Sequence, residues 1–479
     1  MIKKFIEKAE NIKPFNDFLI VFLWIFLLSF IRTFEEYVFF NHSLIYSIFL
    51  HSQFFFFVPF TFSIAILYYM TKANVKKIMS FVSICFILIL LAPPLDYFFF
   101  GRTYGYKYVP IEKLPYNMFT LFIYEKNAGI GLVSGVILII ALFSLYVYHK
   151  TKSPARGIAV FLMFYLFAAI ISSKLIYSKS TFDHEYNLIM ILFYLALSSL
   201  ALLSFLYKSN KKLLASLIKN FRFSTTFFSV FTTFLGAVYA GLASIPFLLS
   251  ALSSIFLSWQ FAVILNDIYD KDIDKVSNKS RPLATGSISE QTYLRIAIIF
   301  FVISTILTIA TSKMMFLIFI PIHVLAILYS VPPFRIRKHL FSEIVIGLGA
   351  FLAFLLGFFS QKSTLSTETL LISFIVLLGS FLASIIKDIK DFKGDKKQRI
   401  KTIFTIYGFK RGKQMSTFFL IIAFLSPIFL ATSLTDTIFF ILITLIALID
   451  FTKKENVPRI ILYYLISITF LILRIKLII

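Results

Sequence analysis

The chain has 479 residues, of which 59% are hydrophobic and 15% are charged, with 47 Lys and Arg against 23 Asp and Glu. Soluble domains usually carry about a quarter of charged residues, so the composition excludes a soluble globular protein. The single cysteine, Cys85, excludes an intrachain disulfide and a multi-cysteine metal site.

Long unbroken apolar runs predict helices, since backbone groups in lipid must pair within helices or a closed barrel, and barrel strands alternate in polarity. We therefore predict an all-α polytopic membrane protein with about fifteen spans. Six predicted spans precede residue 208: Phe18 to Ile31, Ser43 to Met70, Ile78 to Leu95, Asn127 to Tyr148, Gly157 to Ser173 and Tyr186 to Tyr207. Nine follow: Phe223 to Ala243, Ser244 to Leu265, Ile296 to Ser312, Met314 to Val331, Ile344 to Ser360, Thr369 to Ile386, Met415 to Ala431, Leu434 to Ile449 and Ile460 to Leu473.

The first span is the weakest, with only fourteen uncharged residues between Asp17 and Arg32. It must extend past Arg32, or this side chain must snorkel to the membrane surface. No small-residue cleavage site follows the run, so we predict a retained helix and not a signal peptide.

The distribution of basic residues predicts the orientation, because cytoplasmic loops retain Lys and Arg. With the N-terminus inside, 36 of the 47 Lys and Arg lie in predicted cytoplasmic segments. The C-terminus is then expected outside. This distribution accounts for the net charge of +24 without nucleic acid, and it makes anionic lipid headgroups the expected partners.

A basic stretch from Lys208 to Asn220 predicts the domain boundary. It separates a six-span N-terminal domain, residues 1–207, from a nine-span C-terminal domain, residues 208–479. The polar residues of the first domain, including Glu35, His42, His51, Asp96 and Arg102, fit no metal motif. They are interpreted as interfacial side chains, and no reaction is assigned to this domain.

Acidic residues cluster in two short windows at predicted cytoplasmic helix ends. The first aspartate window is Asn266 to Asp274 and the second is Lys387 to Asp395. Aspartates stand at i, i+3 and i+7 in both windows, so they fall within about 60° on a helix. They are Asp267, Asp270 and Asp274 in the first window and Asp388, Asp391 and Asp395 in the second. Asp272 points elsewhere.

Three like charges on one helical face are unfavourable unless a cation lies against them. Oxygen ligands suit a hard divalent ion, and Mg²⁺ usually binds through one or two carboxylates plus substrate phosphates. The windows therefore indicate a magnesium site for a diphosphate substrate, against the alternative of simple solvated charge. Basic residues must also line such a site, and Arg222, Lys275, Arg281 and the loop from Arg335 to Lys338 are the candidates.

At these positions the chain resembles the UbiA-type intramembrane prenyltransferases. The resemblance rests on four segments in family order: NDIYDKDID (Asn266 to Asp274), RPLATGSIS (Arg281 to Ser289), YSVPPFR (Tyr329 to Arg335) and KDIKDFKGD (Lys387 to Asp395). It covers the region from about Lys208 to the C-terminus, where nine spans also match the family.

The resemblance implies specific roles for the residues of both windows. Mg²⁺ would be held by Asn266, Asp270, Asp274, Asp391 and Asp395, with Asp267 and Asp388 assisting. The aspartates expected to serve catalysis are Asp267, Asp270, Asp388 and Asp391. The diphosphate contacts would be Arg222, Lys275, Arg281, Tyr329 and Arg335.

The implied reaction is ionisation of an allylic polyprenyl diphosphate, followed by attack of a membrane-embedded or amphipathic acceptor. The acceptor could be an aromatic quinone precursor, a glycerophosphate-type lipid or a phosphorylated sugar donor. A rival hypothesis is a transporter or lipid-translocating protein whose acidic clusters bind cations. Carriers place coupling carboxylates near the bilayer midplane, whereas these aspartates lie at predicted helix ends, which favours the enzyme.

Overall fold

The computed structural model describes residues 2–40, 46–100, 109–119, 129–171, 173–174, 183–277, 281–340, 342–397 and 399–478. Within these residues, fifteen helices are long and apolar enough to cross a membrane, which confirms the predicted all-α polytopic class. Residue contacts divide the chain into two compact units, Met1–Asn210 and Lys211–Ile479. The assignment of separate roles to the two domains stays a prediction.

The first unit contains six of the candidate spans. Its α-helices are α1 (Ile2–Ala9), α2 (Phe18–Phe40), α3 (Tyr46–Thr71), α4 (Val75–Cys85), α5 (Ala92–Phe100), α6 (Leu114–Phe119), α7 (Ile130–Thr151), α8 (Pro154–Ile171) and α9 (His184–Ser209). Short 3-10 helices cover Lys13–Asn16, Phe86–Leu91 and Ile111–Lys113. Two-residue strands, β1 (Val109–Pro110) and β2 (Ser173–Lys174), pair in parallel.

Several polar residues of the first unit are buried and hydrogen-bonded. Helix α2 continues past Arg32, whose side chain is buried and does not snorkel to an exposed surface. His51 Nδ1 lies 2.6 Å from Asn187 Oδ1, and Asp96 Oδ1 accepts a 2.6 Å hydrogen bond from the backbone N–H of Gly131. His51 and Asp96 are therefore buried within the first unit, while their predicted position at the membrane interface stays a prediction. His42 and Arg102 lie outside the described residues.

The second unit contains nine candidate spans among the described residues. Its α-helices are α10 (Lys211–Lys219), α11 (Phe223–Ala240), α12 (Ile245–Tyr269), α13 (Lys271–Ser277), α14 (Glu290–Thr311), α15 (Lys313–Ser330), α16 (Ile344–Gln361), α17 (Thr367–Ser384), α18 (Asp388–Lys397), α19 (Ile403–Leu425), α20 (Leu434–Lys454) and α21 (Val457–Ile478). Short 3-10 helices cover Ile336–Lys338, Ile385–Lys387 and Ser426–Leu430.

Close backbone packing joins α11 to α16 in the second unit. A Cβ atom at Gly236 would collide with the carbonyl oxygen of Phe354, and one at Gly357 would collide with that of Thr233. Small residues allow helices to approach closely where lipid provides no hydrophobic drive for association. This contact and the large apolar core around Phe354 and Phe424 hold the bundle that carries the aspartate windows.

Candidate active site

The first aspartate window spans the junction of α12 and α13. Asn266 and Asp267 belong to the last turn of α12, Asp270 links the two helices, and Asp274 lies in α13. The expectation of one continuous helix is corrected, because Asp270 has φ −101° and ψ 10° and ends α12. Hydrogen bonds still run from Asp270 N–H to Asn266 O and from Asp274 N–H to Asp270 O, at 2.8 and 2.9 Å. The near-helical spacing of the carboxylates is therefore kept across the break.

Two arginines neutralise the buried carboxylate of Asp267, which is only 1% exposed. Arg222, directly before α11, donates to Asp267 Oδ1 and, at 3.2 Å, to Asn266 Oδ1. Arg281 donates to Asp267 Oδ1 at 3.1 Å and to Asp274 Oδ2 at 2.5 Å. Because burying a carboxylate without a counter-charge is costly, these arginines are what makes the buried position of Asp267 possible.

Asp274 is also buried, and its burial disfavours the charged form of the carboxyl group. Burial raises the pKa of the Asp274 carboxyl to about 6, while the guanidinium of Arg281 acts in the opposite direction. Loss of contact with water disfavours the charged form, whereas a nearby cation favours it. A divalent cation at this position would favour the carboxylate in the same way as Arg281 does.

Tyr293 of α14 supports Asp267 on a further side. Its hydroxyl donates to Asp267 Oδ2 at 3.4 Å and accepts a hydrogen bond from the Asn220 side chain. Asn220 lies between α10 and Arg222. The turn between α10 and α11 is thus connected to the first aspartate window through the Tyr293 hydroxyl.

Lys275 does not contact the buried carboxylates. Its Nζ lies 3.0 Å from Asp272 Oδ1, and the two side chains are 52% and 78% exposed. Asp272 points away from the buried carboxylates, in agreement with its predicted direction. The proposed contact of Lys275 with a diphosphate stays a prediction that this geometry does not favour.

The second aspartate window begins in the 3-10 helix Ile385–Lys387 and continues through α18. Asp388, Asp391 and Asp395 lie in that single helix, so here the predicted helical face is continuous. Asp388 and Asp395 are buried, whereas the Asp391 side chain is 22% exposed. Within the described part of the chain, Asp395 Oδ1 is buried and accepts no hydrogen bond.

The loop after α15 connects the two windows through arginine side chains. Arg335 donates to Asp270 Oδ1 at 3.0 Å and to the carbonyl oxygen of Tyr269 at 2.5 Å. Arg337, in the 3-10 helix Ile336–Lys338, forms an ion pair with Asp270 Oδ2. The other terminal nitrogen of Arg337 lies 3.8 Å from Asp391 Oδ2 and 3.9 Å from Asp395 Oδ1. The two windows therefore meet around one guanidinium.

A second polar cluster lies beside the second window. Lys387 Nζ donates to the Tyr329 hydroxyl at 3.1 Å and lies 3.3 Å from Glu343 Oε1. Glu343 is 5% exposed and also accepts a hydrogen bond from the Ser342 hydroxyl. Tyr329, predicted as a diphosphate contact, is therefore held beside Lys387 in this structure.

The side chains of both windows suit a hard divalent cation by their chemistry. All five predicted ligands offer carboxylate or amide oxygens, the donors that Mg²⁺ prefers. The buried Asp395 Oδ1, without a hydrogen-bond donor among the described residues, is suited to such a cation. Among those residues, however, no three carboxylate or imidazole groups are arranged to hold one ion, and arginine nitrogens lie between the carboxylates.

Three residues at this site have no role assigned from the sequence: Glu343, Lys387 and Tyr293. Arg337 is a candidate only as one residue of the basic loop from Arg335 to Lys338. Arg337 shares its loop with Arg335 and Lys338, and nothing local distinguishes the three side chains. A signal existed for Glu343, because an acidic residue directly before an apolar span is costly unless it has a partner. The partners themselves depend on helix packing.

Comparison with known families and proteins matches the second unit. The profile of the UbiA prenyltransferase family matches residues 229–453. A digeranylgeranylglyceryl phosphate synthase from Methanosphaera stadtmanae is 27% identical over 191 residues, which cover 40% of this chain and 68% of the relative. A probable chloroplastic homogentisate phytyltransferase 2 from Oryza sativa is 30% identical over 163 residues, which cover 31% of this chain and 41% of the relative.

Solved structures also resemble part of this chain. A UbiA homologue from Archaeoglobus fulgidus, bound to GPP and Mg²⁺, is 20% identical, with a TM-score of 0.45, over 54% of this chain and 97% of that chain. This chain matches only about two fifths of the length of the plant relative. The family match covers both aspartate windows and the loop from Arg335 to Lys338.

Proposed function

We propose that this chain, whose residues 229–453 belong to the UbiA prenyltransferase family, transfers a polyprenyl group from an allylic polyprenyl diphosphate to an acceptor in the membrane. The relatives are named as prenyltransferases, and the fifteen candidate spans make the chain an integral multi-pass membrane protein. The observation that carries the proposal is the contact of Arg337 with Asp270, Asp391 and Asp395. It unites two distant acidic segments in one charged site.

The predicted ligands of the magnesium site keep their roles in this proposal: Asn266, Asp270, Asp274, Asp391 and Asp395, with Asp267 and Asp388 assisting. When bound, Mg²⁺ would offset the negative charge that develops on the departing diphosphate. The structure shows the six aspartates at less than a quarter exposure each, in surroundings where charge interactions are stronger than in water.

Three arginines that contact the first window are suited to bind the diphosphate. Arg222, Arg281 and Arg335 are each partly exposed, with 29%, 18% and 20% of the side chain accessible. A guanidinium that is held by a carboxylate on one edge still has donors for phosphate oxygens on the other. These three residues would bind and orient the diphosphate, while Tyr329 and Lys387 would lie beside the second window.

The acceptor is proposed to be membrane-embedded or amphipathic, of the aromatic quinone-precursor or the glycerophosphate-lipid type. The names of two relatives support these two acceptor types: a digeranylgeranylglyceryl phosphate synthase and a probable homogentisate phytyltransferase. The first unit, Met1–Asn210, contains none of the predicted ligands and would modulate the reaction without supplying catalytic groups.

The proposed orientation places the N-terminus and both windows on the cytoplasmic side and the C-terminus outside. It rests on the 36 of 47 Lys and Arg residues in segments of one side, which would also contact anionic lipids. After replacement of Cys85, a cysteine at Ser277 should react with an impermeant maleimide only from the cytoplasmic side, and one at Ser363 only from outside. The reverse labelling pattern would overturn the orientation.

The activity can be tested with the full chain in detergent. Labelled geranylgeranyl diphosphate is incubated with the protein and a membrane extract as the acceptor source, with Mg²⁺ or with EDTA. We expect consumption of the donor and a prenylated product, identified by mass spectrometry, only with Mg²⁺. Protein carrying Asp272→Asn is the matched control, since the Asp272 side chain is 78% exposed and pairs with the surface residue Lys275, which is also exposed. If the donor binds in the presence of Mg²⁺ but no product forms with prenyl diphosphates of any chain length, the transferase proposal is wrong.

A further inference from the structure

Arg337 occupies an unusual position between the two aspartate windows. One terminal nitrogen pairs with Asp270 of the first window, and the other lies 3.8 and 3.9 Å from Asp391 and Asp395 of the second. Among the described residues with ion pairs, it is the one cation that reaches both windows. The side chain is 12% exposed, so its guanidinium is enclosed by the site and not directed into open solvent.

The Arg337 guanidinium forms ion pairs with carboxylates that are also proposed to hold a divalent cation. Asp270, Asp391 and Asp395 are all proposed ligands of Mg²⁺. A carboxylate oxygen directed at an N–H donor must reorient its lone pairs or release the donor before it can coordinate a metal ion closely. Cation binding at these three carboxylates and the Arg337 ion pairs therefore oppose each other.

Charge adds to this geometric conflict. Arg337 carries a fixed positive charge, since a guanidinium does not lose its proton in proteins. Like charges repel strongly where water is largely excluded, so a divalent cation next to an unmoved Arg337 is unfavourable. By contrast, Arg222 and Arg281 contact Asp267 and Asp274 and reach no carboxylate of the second window in the described structure.

We propose that Arg337 competes with the divalent cation for the carboxylates of both windows and thereby sets the Mg²⁺ affinity of the site. The inference rests on the proposed function, because it takes the two windows as the magnesium site. The guanidinium of Arg337 links Asp270 of the first window to Asp391 and Asp395 of the second. Mg²⁺ held by these carboxylates would release the guanidinium from its ion pairs.

The test measures Mg²⁺ binding by the purified full chain without any prenyl substrate. The wild type is compared with Arg337→Gln and with Lys338→Gln, which removes the same charge from the neighbouring exposed residue. We expect Arg337→Gln to lower the dissociation constant for Mg²⁺ by about tenfold, and Lys338→Gln to change it less than about twofold. Thermal unfolding should show that Arg337→Gln lowers the melting temperature in EDTA and that Mg²⁺ restores it.

Each outcome of this comparison has a defined meaning. Equal Mg²⁺ affinity of the wild type and Arg337→Gln would overturn the competition while leaving the proposed function intact. Equal tightening by both substitutions would also overturn it, because the effect would then come from the charge of the loop. Failure of every variant to bind Mg²⁺ would overturn the competition and the magnesium site of the proposed function together.

A second measurement uses the unchanged protein and so does not depend on the folding of a variant. Phenylglyoxal modifies accessible guanidinium groups, and peptide mass spectrometry reports the modification of each arginine. Mg²⁺ should increase the modification of Arg337 at least about threefold, since the ion pairs that enclose it are released. The exposed Arg459, whose side chain is 52% exposed, serves as the internal control. Equal modification of Arg337 with and without Mg²⁺ would overturn the inference.

Discussion

The two aspartate windows have the same spacing in the sequence, yet they are neutralised in different ways. In the first window Asp267, Asp270 and Asp274 are almost completely buried and pair closely with arginines. In the second window the Asp391 side chain is 22% exposed, and its Oδ2 lies 3.8 Å from a terminal nitrogen of Arg337. The carboxylates of the first window are therefore enclosed among arginines, whereas the second window keeps one carboxylate, that of Asp391, partly accessible to solvent.

The largest expected effect concerns activity and should be the same in both windows. Asp270→Asn and Asp391→Asn should each lower turnover at least about a hundredfold, because each removes a carboxylate proposed to hold Mg²⁺. Labelled prenyl diphosphate consumption measures this, and Asp272→Asn should keep activity within about twofold. Substantial activity in only one of the two variants would show that the windows do not act as one site.

Stability should separate the windows. Asp267→Ala leaves Arg222 and Arg281 without their shared partner and should cost about 2–3 kcal/mol of unfolding free energy. Asp391→Ala should cost less than about 1 kcal/mol, since the Asp391 side chain is 22% exposed, so its charge interactions are weakened by water. Thermal unfolding in detergent, both variants being measured in EDTA, gives the comparison. Equal losses would contradict the difference in neutralisation.

Two basic residues near the first window should differ in diphosphate binding. Arg281→Gln should weaken binding of a prenyl diphosphate by about tenfold, because Arg281 lies among the buried carboxylates. Lys275→Gln should change binding by less than about twofold, because Lys275 pairs with exposed Asp272. Equilibrium binding of a labelled donor measures both. A tenfold loss in Lys275→Gln would restore the contact expected from the sequence.

The smallest effects on turnover are expected when the tyrosine beside each window loses its hydroxyl group. Tyr293→Phe removes a hydroxyl from Asp267, which two arginines still hold, so turnover should stay within about twofold. Tyr329→Phe removes the hydrogen-bond acceptor of Lys387 beside the second window and should lower turnover about fivefold. Steady-state kinetics with the two variants measures the difference. Equal effects would mean that the extra ion pairs of the first window give it no additional robustness.

The candidate site could be located from the sequence because its signals are local. Aspartate spacing, the basic loops and the ends of apolar runs are properties of short segments, and helical periodicity translates them directly into neighbouring side chains. The helix break at Asp270 could not be predicted in this way. A single periodicity fits both windows equally well, although only the second is one continuous helix.

The sequence by itself determined the class of the protein, the fifteen spans and the two acidic segments, since each depends on hydrophobicity and charge within one stretch of chain. Only the tertiary structure decided which charges meet. Arg335 reaches Asp270 across 65 residues, Arg337 joins both windows, and Lys275 turns to Asp272. Ion pairs act over a few ångströms, so the packing of helices that are distant in sequence selects the partners.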